Sequence, residues 1–183
     1  VDYPNEIDKQ CCGQMYHSKA NHKQQQASQD LLQTSINFEN YNYVVTDNSS
    51  CANFAKDQNI EISNINNLIL TNLDKLNLKK KFKKIALHID CSTRKQNIYH
   101  KYINALSKCC DELVVPERIY CCGFAGDKGF TTPELNKASL GLLNNQIKDC
   151  DIGVSFNRSC QIGLSYHGRV KYISFTELLI ECL

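Results

Sequence analysis

The chain has 183 residues, 42% of them hydrophobic, which is enough for one large folded domain or two smaller ones. Its formal net charge of +2 gives no electrostatic case for binding nucleic acid or a membrane surface. No stretch approaches the roughly 18 consecutive apolar residues of a membrane-spanning helix. We therefore expect no nucleic-acid partner, no transmembrane segment and a cytoplasmic location, which includes work at the inner face of the membrane.

Predicted helices and strands alternate along the chain. The first half has a short β-branched run at residues 43–46 and a helical pattern at residues 65–76. The second half has predicted strands and helices, in order, at residues 85–89, 97–109, 113–115, from 132 onward, 170–174 and 175–182. Strands that alternate with helices predict an α/β fold with mainly parallel sheets flanked by helices.

Eleven cysteines are the most unusual feature of the composition. An odd number in a chain of this length argues against a small disulfide scaffold. Six of the cysteines form three adjacent pairs, Cys11-Cys12, Cys109-Cys110 and Cys121-Cys122. Adjacent cysteines rarely bond to each other, because disulfide geometry strains so small a ring. The simpler interpretation is a reducing compartment in which thiolates face a metal.

Cysteine motifs recur in two halves of the chain. In each half a Cys-Cys-Gly triplet is followed, at nearly equal spacing, by a single cysteine, Cys51 in the first half and Cys160 in the second. Each of these single cysteines lies three residues after an asparagine and shortly after an apolar run. The agreement predicts an internal repeat. We assign the first repeat to residues 1–78, which we expect to be truncated at its N-terminus, and the second repeat to residues 79–183.

Four cysteines of the second half follow predicted strands: Cys91 follows the strand at residues 85–89, Cys121 and Cys122 follow the one at residues 113–115, and Cys160 follows a third at the apolar run of residues 152–156. The carboxyl ends of parallel strands meet at one edge of a sheet, so we expect these sulfurs to meet there. Four thiolates are the usual ligand set of an iron–sulfur cluster. Buried free thiols and a zinc site are the alternatives, although zinc sites usually have two tight cysteine pairs, roughly two to four residues apart within each pair.

Residues beside these cysteines have candidate supporting roles. Gly123 permits a positive φ, which lets both sulfurs of the doublet face inward. A cation such as Arg158 near the sulfurs would stabilise thiolates and raise the potential of a cluster. We interpret His88 as a packed strand histidine, with a ligand or hydrogen-bond donor as the alternative. The cysteines that we interpret as structural thiols are Cys109, Cys110, Cys150 and Cys182.

The cysteine pattern resembles the cysteine-rich CCG domain of heterodisulfide reductase B subunits and of the iron–sulfur subunits of glycolate oxidase. Residues 121–135, 157–165 and 172–179 resemble, more narrowly, the C-terminal iron–sulfur region of FAD-linked D-lactate dehydrogenases, and residues 11–19 and 47–51 match an earlier part of that region. The complete CCG pattern ends in two cysteines separated by two residues. This chain departs from it at the first of those positions, which are Asn48 and Asn157 here.

The resemblance implies a cofactor and a function. It implies an iron–sulfur cluster, 4Fe-4S in type, on Cys91, Cys121, Cys122 and Cys160, with Gly123, Asn157 and Arg158 as further cofactor-binding residues and a second possible site at Cys11, Cys12 and Cys51. It also implies FAD on an upstream part, and electron transfer from the flavin of a D-2-hydroxy-acid (D-lactate-like) dehydrogenase toward a quinone or cytochrome. The fragment alone would be inactive as an oxidoreductase. The alternatives are a heterodisulfide-reductase-like thiol/disulfide module and a cluster-free docking domain.

Overall fold

A computed structural model describes residues 1–4 and 6–183 of the chain. Helices and parallel β-sheets make up the structure, which confirms the predicted α/β class. The chain divides into two compact units. Unit 1 comprises residues 1–46 and 50–64, and unit 2 comprises residues 47–49 and 65–183. The sequence-based division into repeats at residues 78 and 79 stays a prediction.

Unit 1 is small and mainly helical. Its elements are 3-10 turns at Ile7–Lys9 and Phe38–Asn40, helices α1 (Gln14–His17), α2 (His22–Ser35) and most of α3 (Ser49–Asp57), and strands β1 (Val45–Thr46) and β2 (Ser63–Asn64). Asn21 caps α2, because its side chain accepts a hydrogen bond from the backbone N–H of Gln24. The two strands pair in parallel. Buried Leu32, Phe54 and Ile60 contribute to the core of this unit.

Unit 2 contains a four-stranded parallel sheet in the order β4-β3-β5-β6. Its strands are β3 (Phe82–Leu87), β4 (Cys110–Val114), β5 (Ile152–Val154) and β6 (Tyr172–Ile173). Its helices are α4 (Ile65–Thr71), α5 (Cys91–Gln96), α6 (Tyr99–Leu106), α7 (Lys128–Thr131), α8 (Pro133–Leu140), α9 (Leu143–Ile147), α10 (Arg158–Gly168) and α11 (Phe175–Glu181), with a 3-10 turn at Leu73–Lys75.

Both faces of this sheet are covered, as is usual for parallel sheets. Successive residues of a strand point to opposite faces, so Ile85 and Leu87 join one buried cluster and Ala86 joins the other. The first cluster contains the aromatic rings of Tyr102, Phe156 and Phe175. The second contains the apolar sides of α8, α9 and α10 together with three cysteines, Cys122, Cys150 and Cys160. The sheet therefore carries buried cysteines on the α8–α10 face.

Two local details differ from the sequence-based prediction. The helix predicted at residues 97–109 extends only over Tyr99–Leu106. Asn97 has a left-handed conformation with a φ of 54°, which ends α5 and separates it from α6. The strand predicted at residues 113–115 begins earlier, because β4 starts at Cys110. Across residues 1–4 and 6–183, we find no helix that is both long enough and apolar enough to cross a membrane.

Candidate metal centre

Three connections at the carboxyl ends of neighbouring strands carry the cysteines of unit 2. Cys91 is the first residue of α5, which follows β3 and begins at the cap residue Asp90. Cys121 and Cys122 lie in the connection after β4. Cys160 is the third residue of α10, which follows β5. Parallel strands place all three connections at one edge of the sheet, where ligands of α/β proteins bind.

The four sulfurs form a continuous series of contacts. The Cys91 side chain hydrogen-bonds to Cys121, and Cys121 hydrogen-bonds to its neighbour Cys122. The Cys122 thiol donates to the Cys160 sulfur at 2.9 Å. Cys122 and Cys160 are buried, whereas Cys91 and Cys121 are exposed. The structure therefore brings together the four cysteines that the sequence singled out, with two sulfurs inside and two at the surface.

These contacts divide the four thiols into donors and acceptors. Contacts with the Cys122 and Cys91 thiols hold the pKa of Cys121 well below its ordinary value. The hydrogen bond from Cys122, together with contact with His88, lowers the pKa of Cys160 to about 7. Conversely, the bond to Cys121 and burial raise the pKa of Cys91, and the bonds to Cys121 and Cys160 raise that of Cys122. Two of the four sulfurs thus favour the thiolate form that binds metals.

Gly123 shapes the loop that carries the doublet. Its φ is +71°, and a Cβ added there would lie 2.5 Å from both the backbone oxygen of Leu135 and the Ser139 hydroxyl. This conformation directs the Gly123 N–H toward the Cys121 sulfur at 3.3 Å, and the Phe124 N–H lies 3.5 Å from the Cys122 sulfur. Backbone donors to sulfur stabilise thiolates and influence the potential of a cluster.

A buried polar network links the starts of the two cysteine-bearing helices. The Asp90 carboxylate accepts hydrogen bonds from the Thr93 N–H at 2.8 Å, the Ser92 hydroxyl at 2.6 Å and the Ser49 hydroxyl at 3.2 Å. The Asn157 amide donates to Ser92 at 3.2 Å and accepts from Ser49 at 3.0 Å. Asp90 caps the helix of Cys91, and Asn157 occupies the cap position of the helix of Cys160. Asn157 therefore helps to fix the starts of the two helices that carry Cys91 and Cys160.

Arg158 lies at the surface next to this network. Its guanidinium donates to the Gln161 side chain at 3.1 Å. It lines a surface pocket of about 400 Å³, whose other lining residues are Asp47, Asn48, Gln161, Ser174, Thr176 and Glu177. The pocket contains both signs of charge, so its lining does not single out one kind of ligand.

Unit 1 repeats the arrangement with three cysteines. Cys11 hydrogen-bonds to Cys12, and Cys12 hydrogen-bonds to Cys51 in α3. Gly13 has a φ of +87°, and its N–H approaches the Cys11 sulfur at 3.4 Å, as Gly123 does with Cys121. The pKa of Cys12 is raised to about 11, because the contact with Cys51 and burial outweigh the lowering by its hydrogen bond with Cys11. The two halves thus share the glycine conformation, the N–H contact and the helical position of the later cysteine.

The remaining four cysteines are buried. Burial raises the pKa of Cys109 to about 12 and that of Cys150 to about 11. Cys110 donates to the backbone oxygen of Leu106 at 3.4 Å. Raised pKa values and burial keep such thiols protonated and unreactive, which agrees with a structural role.

A single metal ion and a cluster make different demands on these sulfurs. In residues 1–4 and 6–183, no group of three or more His, Cys, Asp or Glu side chains is arranged to hold one metal ion. The Cys122 and Cys160 sulfurs are 2.9 Å apart, closer than the roughly 3.8 Å between two sulfurs bound to one tetrahedral zinc with a Zn–S length of about 2.3 Å, so these two side chains would have to separate to hold either zinc or a cluster. The number of thiolates, their convergence and their backbone donors are the features that fit an iron–sulfur cluster.

Comparison with known proteins identifies one family. Residues 1–55 match the cysteine-rich domain family CCG. The match includes Cys11, Cys12 and Cys51, and it confirms the resemblance to the CCG type that the sequence suggests. No curated protein and no solved structure matches the chain. The family suggests a redox or iron–sulfur module, and the matched segment lies before the four cysteines that meet in unit 2.

Proposed function

We propose that the chain is the iron–sulfur electron-transfer region of an FAD-dependent D-2-hydroxy-acid (D-lactate-like) dehydrogenase. The observation that carries this proposal is the convergence of four remote cysteine sulfurs at the carboxyl edge of the unit 2 sheet. The CCG match of residues 1–55 supports a redox module. The sequence resemblance to D-lactate dehydrogenases supports the finer assignment.

In this proposal Cys91, Cys121, Cys122 and Cys160 hold one 4Fe-4S cluster, which supplies one-electron chemistry when bound. The chain contributes the environment. The buried Cys122 and Cys160 exclude water from one side of the site, and the exposed Cys91 and Cys121 leave the other side open to a redox partner. The N–H groups beside the doublet donate to the sulfurs and so stabilise negative charge there.

Unit 1 is a second possible site. Cys11, Cys12 and Cys51 provide three sulfurs in contact. Three protein thiolates fall one short of the usual four-cysteine set, so a cluster at this site would need a fourth ligand in addition to these three. We infer that unit 2 holds the main site of the two.

The same resemblance supplies the larger context. We infer that FAD lies on an upstream part of the same polypeptide or complex, and that the flavin passes electrons to the cluster and the cluster to a quinone or cytochrome. We place this relay in the cytoplasm at the inner face of the membrane.

One observation favours a second function, a thiol/disulfide module of the heterodisulfide-reductase kind. Cys121 is exposed, favours the thiolate form and contacts the exposed Cys91. Cys121 could attack a disulfide substrate, releasing one thiolate and forming a mixed disulfide. Cys91 would then displace the second thiolate, leaving a Cys91–Cys121 disulfide and a reduced substrate.

Anaerobic purification with visible absorption, iron and acid-labile sulfide analysis tests the proposal. We expect a coloured protein, and we expect Cys122→Ser and Cys160→Ser each to lose the colour and most of the iron. Cys150→Ser is the matched control, since Cys150 is also buried but lies outside the four-sulfur series. Full iron in both ligand variants would refute the assignment. A colourless wild type that reduces disulfides would favour the second function.

A further inference from the structure

His88 lies where β3 reaches the cysteine edge of the sheet. Its N–H donates to the backbone oxygen of Val154 at 2.9 Å, which continues the parallel pairing between β3 and β5 by one step. Two residues earlier on β3, Ala86 packs in the cluster that contains Cys122 and Cys160. The alternation of strand side chains places His88 on that same face. Contact with its ring helps to lower the pKa of Cys160, which agrees with this placement.

Two buried polar atoms have no hydrogen-bond partner at this position. His88 is 1% exposed and Ser155 is 0% exposed, and neither the Nε2 atom of His88 nor the hydroxyl of Ser155 has a partner in the structure. The β3–β5 register, continued by one residue, sets His88 beside Ser155. Buried polar groups without partners are rare in folded proteins and commonly mark a functional site or an unseen ligand. Of the two residues, His88 contacts a proposed ligand, Cys160.

We propose that His88 is a positioning residue that donates a hydrogen bond to a sulfur of the group held by Cys91, Cys121, Cys122 and Cys160, with the Ser155 hydroxyl as a second donor. This inference rests on the proposed iron–sulfur function. A donor aimed at sulfur stabilises the added negative charge of the reduced group. His88 therefore raises the reduction potential. His88 Nε2 and the Ser155 hydroxyl gain hydrogen-bond partners when the group is bound.

The competing explanation is that His88 only fills space in the core. The two explanations predict different effects of removing the donor while keeping the ring. His88→Phe keeps a planar ring of similar size and has no N–H, whereas His88→Gln keeps an amide donor near the position of Nε2. His100→Phe makes the same chemical change at an exposed histidine and is the matched control.

The test is a redox titration of the anaerobically reconstituted full chain, followed by visible absorption and electron paramagnetic resonance. We expect His88→Phe to retain wild-type iron and sulfide but to weaken reduction about tenfold, a fall of about 59 mV for a one-electron couple. His88→Gln should recover at least half of that shift, and His100→Phe should match the wild type. Ser155→Ala, which removes a single oxygen, should lower the potential in the same direction and serves as the test if His88→Phe does not fold.

The possible results test the role of His88 and the proposed iron–sulfur function separately. Equal potentials for wild type, His88→Phe and Ser155→Ala overturn the role of His88 and leave the iron–sulfur function standing. Equal shifts in His88→Phe and His88→Gln also overturn it, because ring packing alone would then explain the effect. A wild type that takes up neither iron nor sulfide overturns the proposed function and the role of His88 together.

Discussion

Ser92 is the best point at which to test the buried network behind the cysteines. Its side chain is 5% exposed and lies directly after Cys91. The hydroxyl donates to Asp90 at 2.6 Å, contacts Ser49 at 2.6 Å and accepts from Asn157 at 3.2 Å. Ser92→Ala removes only one oxygen, so the change creates almost no cavity. The variant therefore reports on hydrogen bonding with little contribution from packing.

The structure sets the size of the expected effect. A hydrogen bond to a charged group such as the Asp90 carboxylate contributes about 1.5–3 kcal/mol. The Asn157 amide also loses a buried acceptor, which costs about 1–3 kcal/mol where no other group replaces it. Ser49 can replace part of both losses, and alanine gains roughly 0.5 kcal/mol of helix propensity in α5. We expect the free energy of unfolding to fall by about 2–4 kcal/mol.

Urea unfolding of the reduced chain, followed by far-ultraviolet circular dichroism, measures this quantity. Ser107→Ala is the control, because Ser107 makes a 2.8 Å hydrogen bond to a backbone oxygen at an exposed site. We expect that control to change stability by less than about 0.5 kcal/mol. The effects of Ser92→Ala and Asn157→Ala should also be non-additive by about 1 kcal/mol, since the two side chains share a hydrogen bond. A Ser92→Ala variant as stable as the control would refute the network.

Three further predictions concern the doublet loop and the thiols. Gly123→Ala should lower the free energy of unfolding by more than about 2 kcal/mol and abolish iron binding, as measured by urea unfolding and iron analysis. Gly126 has a similar φ of +73°, but an added Cβ there would meet no other atom within 4 Å, so Gly126→Ala should cost only about 1 kcal/mol. Burial raises the pKa of Cys109 from 9.0 to about 12, so its contribution to stability is complete below pH 9 and is lost as the pH rises through 12. In alkaline unfolding curves, Cys109→Val should reduce the slope of that decline by up to about 1.4 kcal/mol per pH unit. In the chelator-treated protein, iodoacetamide should modify Cys121 long before the buried Cys150, as followed by peptide mass spectrometry, and equal rates would contradict the proposed thiolate.

Local pattern was sufficient to predict the class of fold and the meeting of the cysteines. Runs of apolar residues predict the strands that end just before Cys91 and Cys160. Because the carboxyl ends of parallel strands lie at one edge of a sheet, the cysteines that follow them are expected to meet there. Gly123 also has the positive φ that its position after the doublet suggested. These features depend on neighbours in sequence, which is why sequence alone could indicate them.

Features that depend on distant residues could not be predicted in this way. Nothing in the sequence near Ser49 shows that its hydroxyl meets Asp90 and Asn157, because those partners are far along the chain. The position of Asn97 in the left-handed region, which shortens the predicted helix, depends on how α5 and α6 pack. The contact between His88 and Cys160 was left open at the sequence level, since a strand histidine is equally compatible with a packed core.

Native mass spectrometry of the intact chain after anaerobic reconstitution tests the central claim most directly. We expect the wild type to gain the mass of one intact iron–sulfur cluster, Cys91→Ser and Cys121→Ser to lose it, and Cys182→Ser to keep it. Cys182 is buried and lies outside the four-sulfur series, so its variant reports on nonspecific effects of removing a thiol. A wild type with no added mass, or a cluster that survives both Cys91→Ser and Cys121→Ser, would contradict the claim that these sulfurs hold one cofactor.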